Sequence, residues 1–391
     1  GGIKNCFNLK GGRMKKHKLF TPGPTSIPEE VLLEMAKPII HHRTEEFLNI
    51  AKEVFEGLKY LFQTKNDVLI IASSGTGAME ASIVNLFSKG EKIIVINGGK
   101  FGERFVEIGK AYGLNVVDVK VEWGKTLKKE ELEKIIEENK DAKGVFVNLC
   151  ETSTATHFDV KGYGEIVSKY PDMLLVVDAI SSLGAVPCYM DEWKIDCLLT
   201  GSQKAFMLPP GLAFISLSEK AWLKTQNSNL PKYYFDLKKY KKTLEKFDFP
   251  FTIPVSLIIG LRKSIQIIKE YTIERIWEEH KKRAESTRQA ILSMGLTLLS
   301  SCPSNAVTGV LLPESVNGDE LIKFVRKNYG ISFAPGQDKL KGKIVRISHL
   351  GWQDEFDVLT AITALGIGLE KLGYKVDIGK GIEKAKEILF S

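Results

Sequence analysis

The sequence has few cysteines, and their spacing indicates neither a disulfide framework nor a metal site. Only five of the 391 residues are cysteine, an odd number, at Cys6, Cys150, Cys188, Cys197 and Cys302. No two of them form a C-x-x-C motif, which a zinc site or a redox pair would require. We therefore predict no bound metal, and a reducing cytoplasm is the expected compartment.

Long hydrophobic runs and a strong charge imbalance are also missing. No apolar run reaches the roughly 18–20 residues that a membrane-spanning helix needs. The formal net charge of +7 is a modest surplus, which is weak evidence for nucleic-acid binding. Apolar residues make up 43% and charged residues 26% of the chain, as in a globular protein with a sizeable core. We expect neither a membrane nor a nucleic acid as a partner.

The length of the chain favours two domains. Residues 1–13 are interpreted as a tag or a disordered extension and are left out of the fold prediction. Residues 14–254 are predicted to form a large domain, with an N-terminal arm of residues 14–30 that associates with the small domain. Residues 255–391 are predicted to form the smaller C-terminal domain, of α+β type.

Apolar strands and helices alternate through the larger segment. Nearly continuous apolar stretches, such as Val68–Ala72, Lys92–Ile96 and Leu174–Val177, are typical of buried strands. Strands of this kind separated by helices predict an α/β fold with a mostly parallel sheet covered on both faces. Ligands of such sheets bind beyond the carboxyl ends of the strands, so the loops there are the candidate site.

The later part of the chain has a different texture. Residues Lys232–Lys246 are rich in lysine and tyrosine and are interpreted as a solvated helix face or loop. Long helices are predicted at Ile253–Lys269 and Thr272–Met294. Strands at Thr308–Leu312 and Ile344–Ser348, with helices between and after them, then predict the small α+β domain.

The first predicted strand of the sheet leads into a glycine-rich turn, Ser73–Gly77, and then directly into a helix. Glycines allow a tight turn, and a helix N-terminus presents unpaired N–H groups to an anion. The turn matches neither the P-loop pattern nor the dinucleotide fingerprint, in which Glu80 would have to be glycine. A phosphate cradle and an ordinary tight turn both remain open on this segment alone.

Two further strand ends carry charged residues. Asp178 follows one strand, where a carboxylate could equally be a helix cap. Lys204 follows another, in an apolar setting that favours the neutral amine, the form that attacks an aldehyde. Each residue is ambiguous alone. A phosphate anchor, a carboxylate and a lysine together meet the needs of pyridoxal 5′-phosphate.

Five segments carry a family resemblance: Ser73–Glu80, Asn97–Arg104, Val176–Ser182, Thr200–Ala205 and Lys343–Ser348. On these segments the chain resembles the class V aminotransferases, specifically the alanine–glyoxylate and serine–pyruvate aminotransferase group. The resemblance extends from Thr21 to about Val376. It implies the fold-type I architecture of enzymes that depend on pyridoxal 5′-phosphate, and a homodimer with shared active sites.

The resemblance also implies a role for individual residues. Lys204 would hold the cofactor as a Schiff base and act as general base, while Asp178 would pair with the ring nitrogen. Phe101 would stack on the ring and Ser153 would bond the ring hydroxyl. The residues implied in phosphate binding are Ser74, Gly75, Thr76 and Gln203, with Thr252 supplied to the site of the other subunit.

Arg346 is implied as the clamp for the substrate carboxylate, for which its planar guanidinium is suited. The expected reaction is a ping-pong transfer of an amino group from alanine or serine to glyoxylate or pyruvate. Aspartate or an aminophosphonate remains open as the substrate. A dehydrogenase that uses NAD is disfavoured because Asn97 stands where a ribose-binding acid is expected. A cysteine desulfurase is disfavoured because the loop Ala334–Lys343 has no cysteine.

Two positions depart from the family pattern. Ala155 stands where the family usually has glycine, and Phe249 stands where many relatives have a tyrosine that reaches the neighbouring phosphate. Both departures weaken any inference about substrate preference. His41 and His42 precede a helix near the expected subunit boundary, and either a role there or an exposed loop is consistent with the sequence.

Overall fold

A computed structural model describes residues 15–391 of the chain, so the prediction for residues 1–13 lies outside the described residues. In chain order the strands are β1 (Lys18–Phe20), β2 (Val68–Ile71), β3 (Lys92–Asn97), β4 (Asn115–Lys120), β5 (Gly144–Asn148), β6 (Cys150–Glu151), β7 (Thr156–His157), β8 (Leu174–Asp178), β9 (Cys197–Gly201), β10 (Ala213–Leu217), β11 (Thr297–Leu298), β12 (Val307–Leu311), β13 (Ile331–Pro335) and β14 (Ile344–Ser348). The α-helices are α1 (Glu29–Met35), α2 (Glu45–Phe62), α3 (Gly75–Leu86), α4 (Lys100–Ala111), α5 (Lys129–Glu138), α6 (Val160–Val167), α7 (Glu219–Lys224), α8 (Leu237–Leu244), α9 (Val255–Tyr271), α10 (Ile273–Ser293), α11 (Gly318–Tyr329), α12 (Glu355–Lys371) and α13 (Ile378–Leu389).

The larger sheet has seven strands in the order β2-β10-β9-β8-β5-β3-β4. Only β10 runs antiparallel to its neighbours; the remaining pairs are parallel. Every residue of β5, β8 and β9 is buried, which explains why these strands are almost entirely apolar. The prediction of an α/β fold with a mostly parallel sheet is confirmed.

The smaller sheet has five strands in the order β1-β13-β14-β12-β11. Strand β1 pairs in parallel with β13, so the N-terminal strand lies in the same sheet as C-terminal strands. The sequence analysis did not foresee β1, β13 or α13. A three-residue strand and one that ends in Pro335 give too short a pattern for recognition.

The apolar side chains form two clusters, one beneath each sheet. The larger includes Val255, Ile268 and Trp277, so its packing continues through α9 into α10. The smaller cluster contains Phe20 of β1 together with side chains from the C-terminal part of the chain, between Ala290 and Leu389. The division of the chain at residue 254 stays a prediction, with α9 packed in the larger cluster.

Local signals explain where several helices begin and end. Thr44 caps α2 by accepting a hydrogen bond from the backbone N–H of Phe47, and Gln63 ends the helix in the left-handed conformation. The segment predicted as solvated, residues 232–246, contains α8. Leu237 and Tyr240 of this helix are buried while several of its lysines are exposed, so α8 packs one face against the core. Of all the helices in residues 15–391, none combines the length and apolarity needed to cross a bilayer.

Candidate active site

The carboxyl ends of the parallel strands lie at one edge of the larger sheet. Because β2, β3, β5, β8 and β9 all point the same way, the segments that follow them meet there. The predicted site residues at this edge are Ser74, Gly75, Thr76, Phe101, Ser153, Asp178, Gln203 and Lys204. Sequence positions separated by more than a hundred residues are thus brought into one site.

Lys204 follows β9 and lies beneath the N-terminal segment of the chain. Its Nζ donates a hydrogen bond to the carbonyl of Pro22. The hydroxyl of Thr25 donates to the backbone carbonyl of Lys204 at 3.1 Å, which fixes the loop. Burial lowers the pKa of Lys204 to about 8, with the nearby charge of Asp178 acting in the opposite direction. The amine is therefore far easier to deprotonate than an exposed lysine.

Asp178 ends β8 and is 4% exposed. Its Oδ1 accepts from the N–H of Ile180 at 2.7 Å, and its Oδ2 accepts from Nδ2 of Asn148 at 2.6 Å. Burial raises the pKa of Asp178 to about 6, and these two hydrogen bonds oppose the rise. The carboxyl group is held in a fixed orientation, without an ion pair to any residue in 15–391.

The N-terminus of α3 is open. Ser74, which precedes the helix, is exposed and its side chain caps no backbone group. Within the described chain, the N–H groups of Gly75 and Thr76 have no acceptor. A Cβ atom at Gly75 would lie 2.5 Å from Cδ1 and 2.8 Å from Cγ1 of Ile180, so a larger residue would force that side chain to move. An anion can therefore bind at this helix end.

Gln203 lies beside the same helix end. Its Oε1 is buried without a hydrogen-bond partner in residues 15–391. A Cβ atom placed on Gly201 would be 3.2 Å from this oxygen and 3.6 Å from the backbone nitrogen of Gly75. A buried amide oxygen without a hydrogen-bond partner is costly, so the arrangement suits a polar ligand.

The N-terminus of α4, in contrast, is closed by Glu151. This fully buried carboxylate accepts from the N–H of Gly102 at 2.9 Å and of Phe101 at 3.1 Å. Burial raises the pKa of Glu151, and its hydrogen bonds oppose the rise. The sequence analysis missed Glu151. The available signal was an acidic residue immediately after an apolar strand, Leu149 and Cys150.

Ser153 belongs to the same arrangement. Its Oγ donates to Oε1 of Glu151 at 2.6 Å and accepts from the N–H of Lys100 at 3.0 Å. Both functions of the hydroxyl are thus used within the protein. A contact between Ser153 and a cofactor hydroxyl stays a prediction, and it would have to replace or share one of these bonds.

Phe101 lies in the first turn of α4 and is partly buried. The guanidinium carbon of Arg104 lies 4.9 Å from the centroid of its ring. Nη1 of Arg104 donates to Oγ1 of Thr76 at 3.0 Å, so a cation stands at the start of α3. No role for Arg104 was predicted from the segment Asn97–Arg104, because the neighbouring sequence does not show that the side chain reaches Thr76.

Arg346 lies on β14 of the smaller sheet and is 6% exposed. Its Nε donates to the carbonyl of Pro335 and its Nη1 donates to the carbonyl of Thr152, each at 3.0 Å. Across residues 15–391, Nη2 has no hydrogen-bond partner and no carboxylate lies within 4.0 Å. Burial lowers the pKa of Arg346 to about 10, while the more distant Glu151 opposes this. The guanidinium is oriented but lacks an anion.

Thr252 is exposed, and its side chain forms no hydrogen bond within residues 15–391. Phe249 is buried and stacks on Phe55, with ring centroids 5.4 Å apart. Its ring therefore belongs to the core. Ala155 is buried and has a φ of 56°, a left-handed conformation that favours glycine, which is the usual family residue there.

His41 and His42 lie close together near the surface, with ring centroids 4.7 Å apart. The adjacent Arg43 forms a 2.6 Å ion pair with Asp248. Searching residues 15–391 finds no group of three or more histidine, cysteine, aspartate or glutamate side chains able to hold a metal ion.

Comparison with known proteins places this site in a family. The profile of the family "Aminotransferase class-V" matches residues 18–350. A serine–glyoxylate aminotransferase of Methylorubrum extorquens is 33% identical over 390 residues, which cover 96% of this chain and 97% of the relative. A protein of Synechococcus sp. named "Soluble hydrogenase, small subunit" is 41% identical over 379 residues, 96% of this chain and 98% of the relative.

A solved structure confirms the architecture. The ureidoglycine–glyoxylate aminotransferase of Bacillus subtilis superimposes with a TM-score of 0.90 at 28% identity, covering 97% of this chain and 99% of that one. The predicted fold-type I architecture and the resemblance to class V aminotransferases are both confirmed. The chain is an aminotransferase and belongs to the class V family.

Proposed function

We propose that this protein uses pyridoxal 5′-phosphate to move an amino group from alanine or serine to glyoxylate or pyruvate in a ping-pong reaction. The observation that carries the proposal is Lys204, a partly buried lysine with its pKa lowered to about 8, at the sheet edge that also holds Asp178. An amine of this kind is suited to attack an aldehyde.

The residues present fit this cofactor at three separate points. The open end of α3 suits a phosphate group, and the side-chain amide of Gln203 beside it can donate to a phosphate oxygen when it turns its NH2 group to this side. Asp178 is a carboxyl group that two hydrogen bonds hold in place, which suits a ring nitrogen that carries a proton. Lys204 suits the aldehyde carbon. Phe101, whose ring contacts the Arg104 guanidinium, offers an aromatic ring for stacking on the cofactor.

When bound, pyridoxal 5′-phosphate supplies an electron sink that stabilises negative charge on the substrate α-carbon. The carboxylate of Asp178 would hold the ring nitrogen in its protonated form, because a nearby negative charge favours the cation. The amine of Lys204 would act as the general base that takes the α-proton of the substrate and returns it. The segment Pro22–Gly23 covers Lys204 and limits the access of water.

Arg346 binds the α-carboxylate of the substrate. Two backbone carbonyls orient its guanidinium, and Nη2 remains for an anion that the rest of the chain does not supply. A buried cation without a counter-ion is costly, so the substrate carboxylate offsets part of that cost on binding. Any amino acid shares this group, so Arg346 does not decide between alanine, serine and aspartate.

The preference for a small donor rests on relatives such as the serine–glyoxylate aminotransferase. The hydrogenase name of another relative is not part of this proposal, because the amine of Lys204, the carboxyl group of Asp178 and the guanidinium of Arg346 answer the needs of amino-group transfer. A homodimer in the reducing cytoplasm completes the proposal. The exposed Thr252 is then available to the phosphate of the other subunit.

Borohydride labelling tests the cofactor and its attachment. Purified protein supplied with pyridoxal 5′-phosphate should show a visible absorbance band that borohydride removes irreversibly. Peptide mass analysis should then locate a pyridoxyl group on Lys204, and Lys204→Ala should take up none. Labelling at a different lysine would contradict the assignment of Lys204.

Half-reactions test the substrate class. The loaded protein should lose its visible band on mixing with alanine or serine, and glyoxylate or pyruvate should restore it. Aspartate and an aminophosphonate serve as the competing donors. A faster response to either of these would replace the small-donor proposal while leaving the cofactor proposal intact.

A further inference from the structure

Arg104 connects the start of α3 with Phe101. Its Nη1 donates to Oγ1 of Thr76 at 3.0 Å, and its Cζ lies 4.9 Å from the centroid of the Phe101 ring. The side chain is partly buried. A stacked aromatic ring and a hydrogen bond therefore hold the guanidinium beside the helix end at which an anion can bind.

No acid neutralises Arg104 in the described part of the chain, where it forms no ion pair within 4.0 Å. The bond to Thr76 occupies one of its N–H donors and leaves the others. Its charge also reaches Lys204, since Arg104 is among the groups that lower the pKa of that lysine. A positive charge without a counter-ion thus stands close to both the helix end and the reactive amine.

The charge of a phosphate shows what this cation could do. A phosphate monoester carries about −1.5 to −2 charges at neutral pH, whereas a helix N-terminus offers roughly +0.5. Gln203 is uncharged, so α3 and Gln203 alone leave about one negative charge or more without compensation. One guanidinium supplies that charge, and its planar fork matches two phosphate oxygens.

We propose that Arg104 binds the phosphate group of the cofactor, together with the N–H groups of Gly75 and Thr76. This inference rests on the proposed use of pyridoxal 5′-phosphate. The N–H groups of Arg104 that Thr76 does not use donate to phosphate oxygens. Because Oγ1 of Thr76 accepts from Arg104, its own hydrogen remains available to the same phosphate.

A purely structural role predicts a different outcome. If Arg104 only supports Phe101, its loss weakens the stacking on the cofactor ring. Pyridoxal has the same ring and aldehyde but no phosphate, so pyridoxal and pyridoxal 5′-phosphate would then lose affinity equally. A phosphate contact affects only the phosphorylated compound. The ratio of the two affinities therefore separates the roles.

The experiment titrates the cofactor-free full-length protein with pyridoxal 5′-phosphate and with pyridoxal, followed by absorbance. Arg104→Gln should weaken binding of the phosphorylated compound by about 10- to 100-fold, the loss of a hydrogen-bonded charge contact. Binding of pyridoxal should change by less than about 3-fold. Arg104→Lys keeps the charge without the fork and should fall between. Lys110→Gln removes an exposed charge from the same helix and serves as the matched control.

Inorganic phosphate provides a third probe. It should compete with pyridoxal 5′-phosphate for the wild type and compete much less for Arg104→Gln. Equal losses for both aldehydes, or unchanged affinity for the phosphorylated one, overturn the role of Arg104 while leaving the proposed function standing. A wild-type protein that takes up no cofactor on Lys204 overturns the proposed function and this inference with it.

Discussion

The side chain of Lys204 lies in space that Gly23 leaves empty. A Cβ atom placed on Gly23 would lie 2.6 Å from Cε and 2.8 Å from Cδ of Lys204, and Gly23 has a φ of +135°. We therefore expect Gly23→Ala to displace the lysine and to lower the rate of the half-reaction with alanine at least about 10-fold. Stopped-flow absorbance of the loaded protein measures this rate.

Gly295→Ala is the matched control for this change. Gly295 also has a positive φ, +78°, but a Cβ atom there meets nothing within 4 Å. Both variants place a side chain at positive φ, a conformation that costs roughly 1–3 kcal/mol for a residue other than glycine. Only Gly23→Ala should lose activity. Equal activity in the two variants would mean that Lys204 adjusts to the added atom without consequence.

The strand ends were predictable from the sequence because their causes are local. Continuous apolar stretches mark the buried strands, and a polar residue directly after one, such as Asp178 or Lys204, lies at the edge of the sheet. The glycine-rich turn before α3 is equally local. Its openness was not predictable, because it depends on Ser74 making no cap.

The contacts that the sequence did not reveal are made by segments far apart in the chain. Pro22 covers Lys204 across 182 positions. Glu151, at the end of β6, closes α4 from 49 positions beyond Gly102. Arg104 reaches Thr76 across two helices. No periodicity or turn pattern encodes such pairs. The bonds of the Ser153 hydroxyl to Glu151 and to the N–H of Lys100 were equally invisible in the sequence, although they compete with the predicted bond to a cofactor hydroxyl.

Asp178 should make cofactor binding depend on pH. Its pKa is raised to about 6 in the cofactor-free protein. Above this pH the group is a carboxylate that attracts the protonated ring nitrogen, and below it the attraction is lost. Affinity for pyridoxal 5′-phosphate should therefore fall as the pH drops through about 6. Titrations of the cofactor-free protein between about pH 5 and about pH 8 bracket this raised pKa and measure the midpoint.

Asn148→Ala should move that midpoint upwards. Asn148 donates to Oδ2 of Asp178 at 2.6 Å and so favours the carboxylate. Its removal should raise the pKa of Asp178, and the midpoint should shift by on the order of one pH unit. Asp178→Asn should abolish the fall in cofactor affinity at low pH and slow the half-reaction by orders of magnitude. If the fall in affinity at low pH persists in Asp178→Asn, another titratable group causes it.

Arg346→Ala should impair the response to amino acids and leave cofactor uptake intact. The loss of a buried, charge-assisted contact typically costs about 2–5 kcal/mol, so kcat/KM should drop roughly 30-fold or more. Arg346→Lys should recover only part, since an ammonium cannot match two carboxylate oxygens. Amines without a carboxylate should react equally with both proteins. Equal rates with alanine or serine would place the carboxylate site elsewhere.

His280 should make the fold sensitive to acid. It is 3% exposed; its Nδ1–H donates to the carbonyl of Ile276, while Nε2 is buried without a partner in residues 15–391. Burial, helped by the charge of Arg283, lowers its pKa from 6.5 to about 3. Below about pH 6.5 the unfolded chain therefore binds a proton at His280 that the folded protein does not bind. The free energy of unfolding decreases as the pH is lowered from about 6.5 to about 3.

This histidine alone should remove about 2 kcal/mol of unfolding free energy between pH 7.5 and pH 5, since each pH unit below the unfolded pKa costs about 1.4 kcal/mol. Denaturant unfolding at both pH values measures the loss of unfolding free energy. Subtracting the loss in a variant from the loss in the wild type cancels the contribution of the carboxyl groups, which all the proteins share. His280→Gln should be less stable than the wild type at pH 7.5, yet its decline towards pH 5 should be smaller by about 2 kcal/mol. His17→Gln changes an exposed histidine and should decline as the wild type does. If the stability of His280→Gln declines as steeply towards pH 5 as that of the wild type and of His17→Gln, the buried imidazole is not the source of the acid sensitivity.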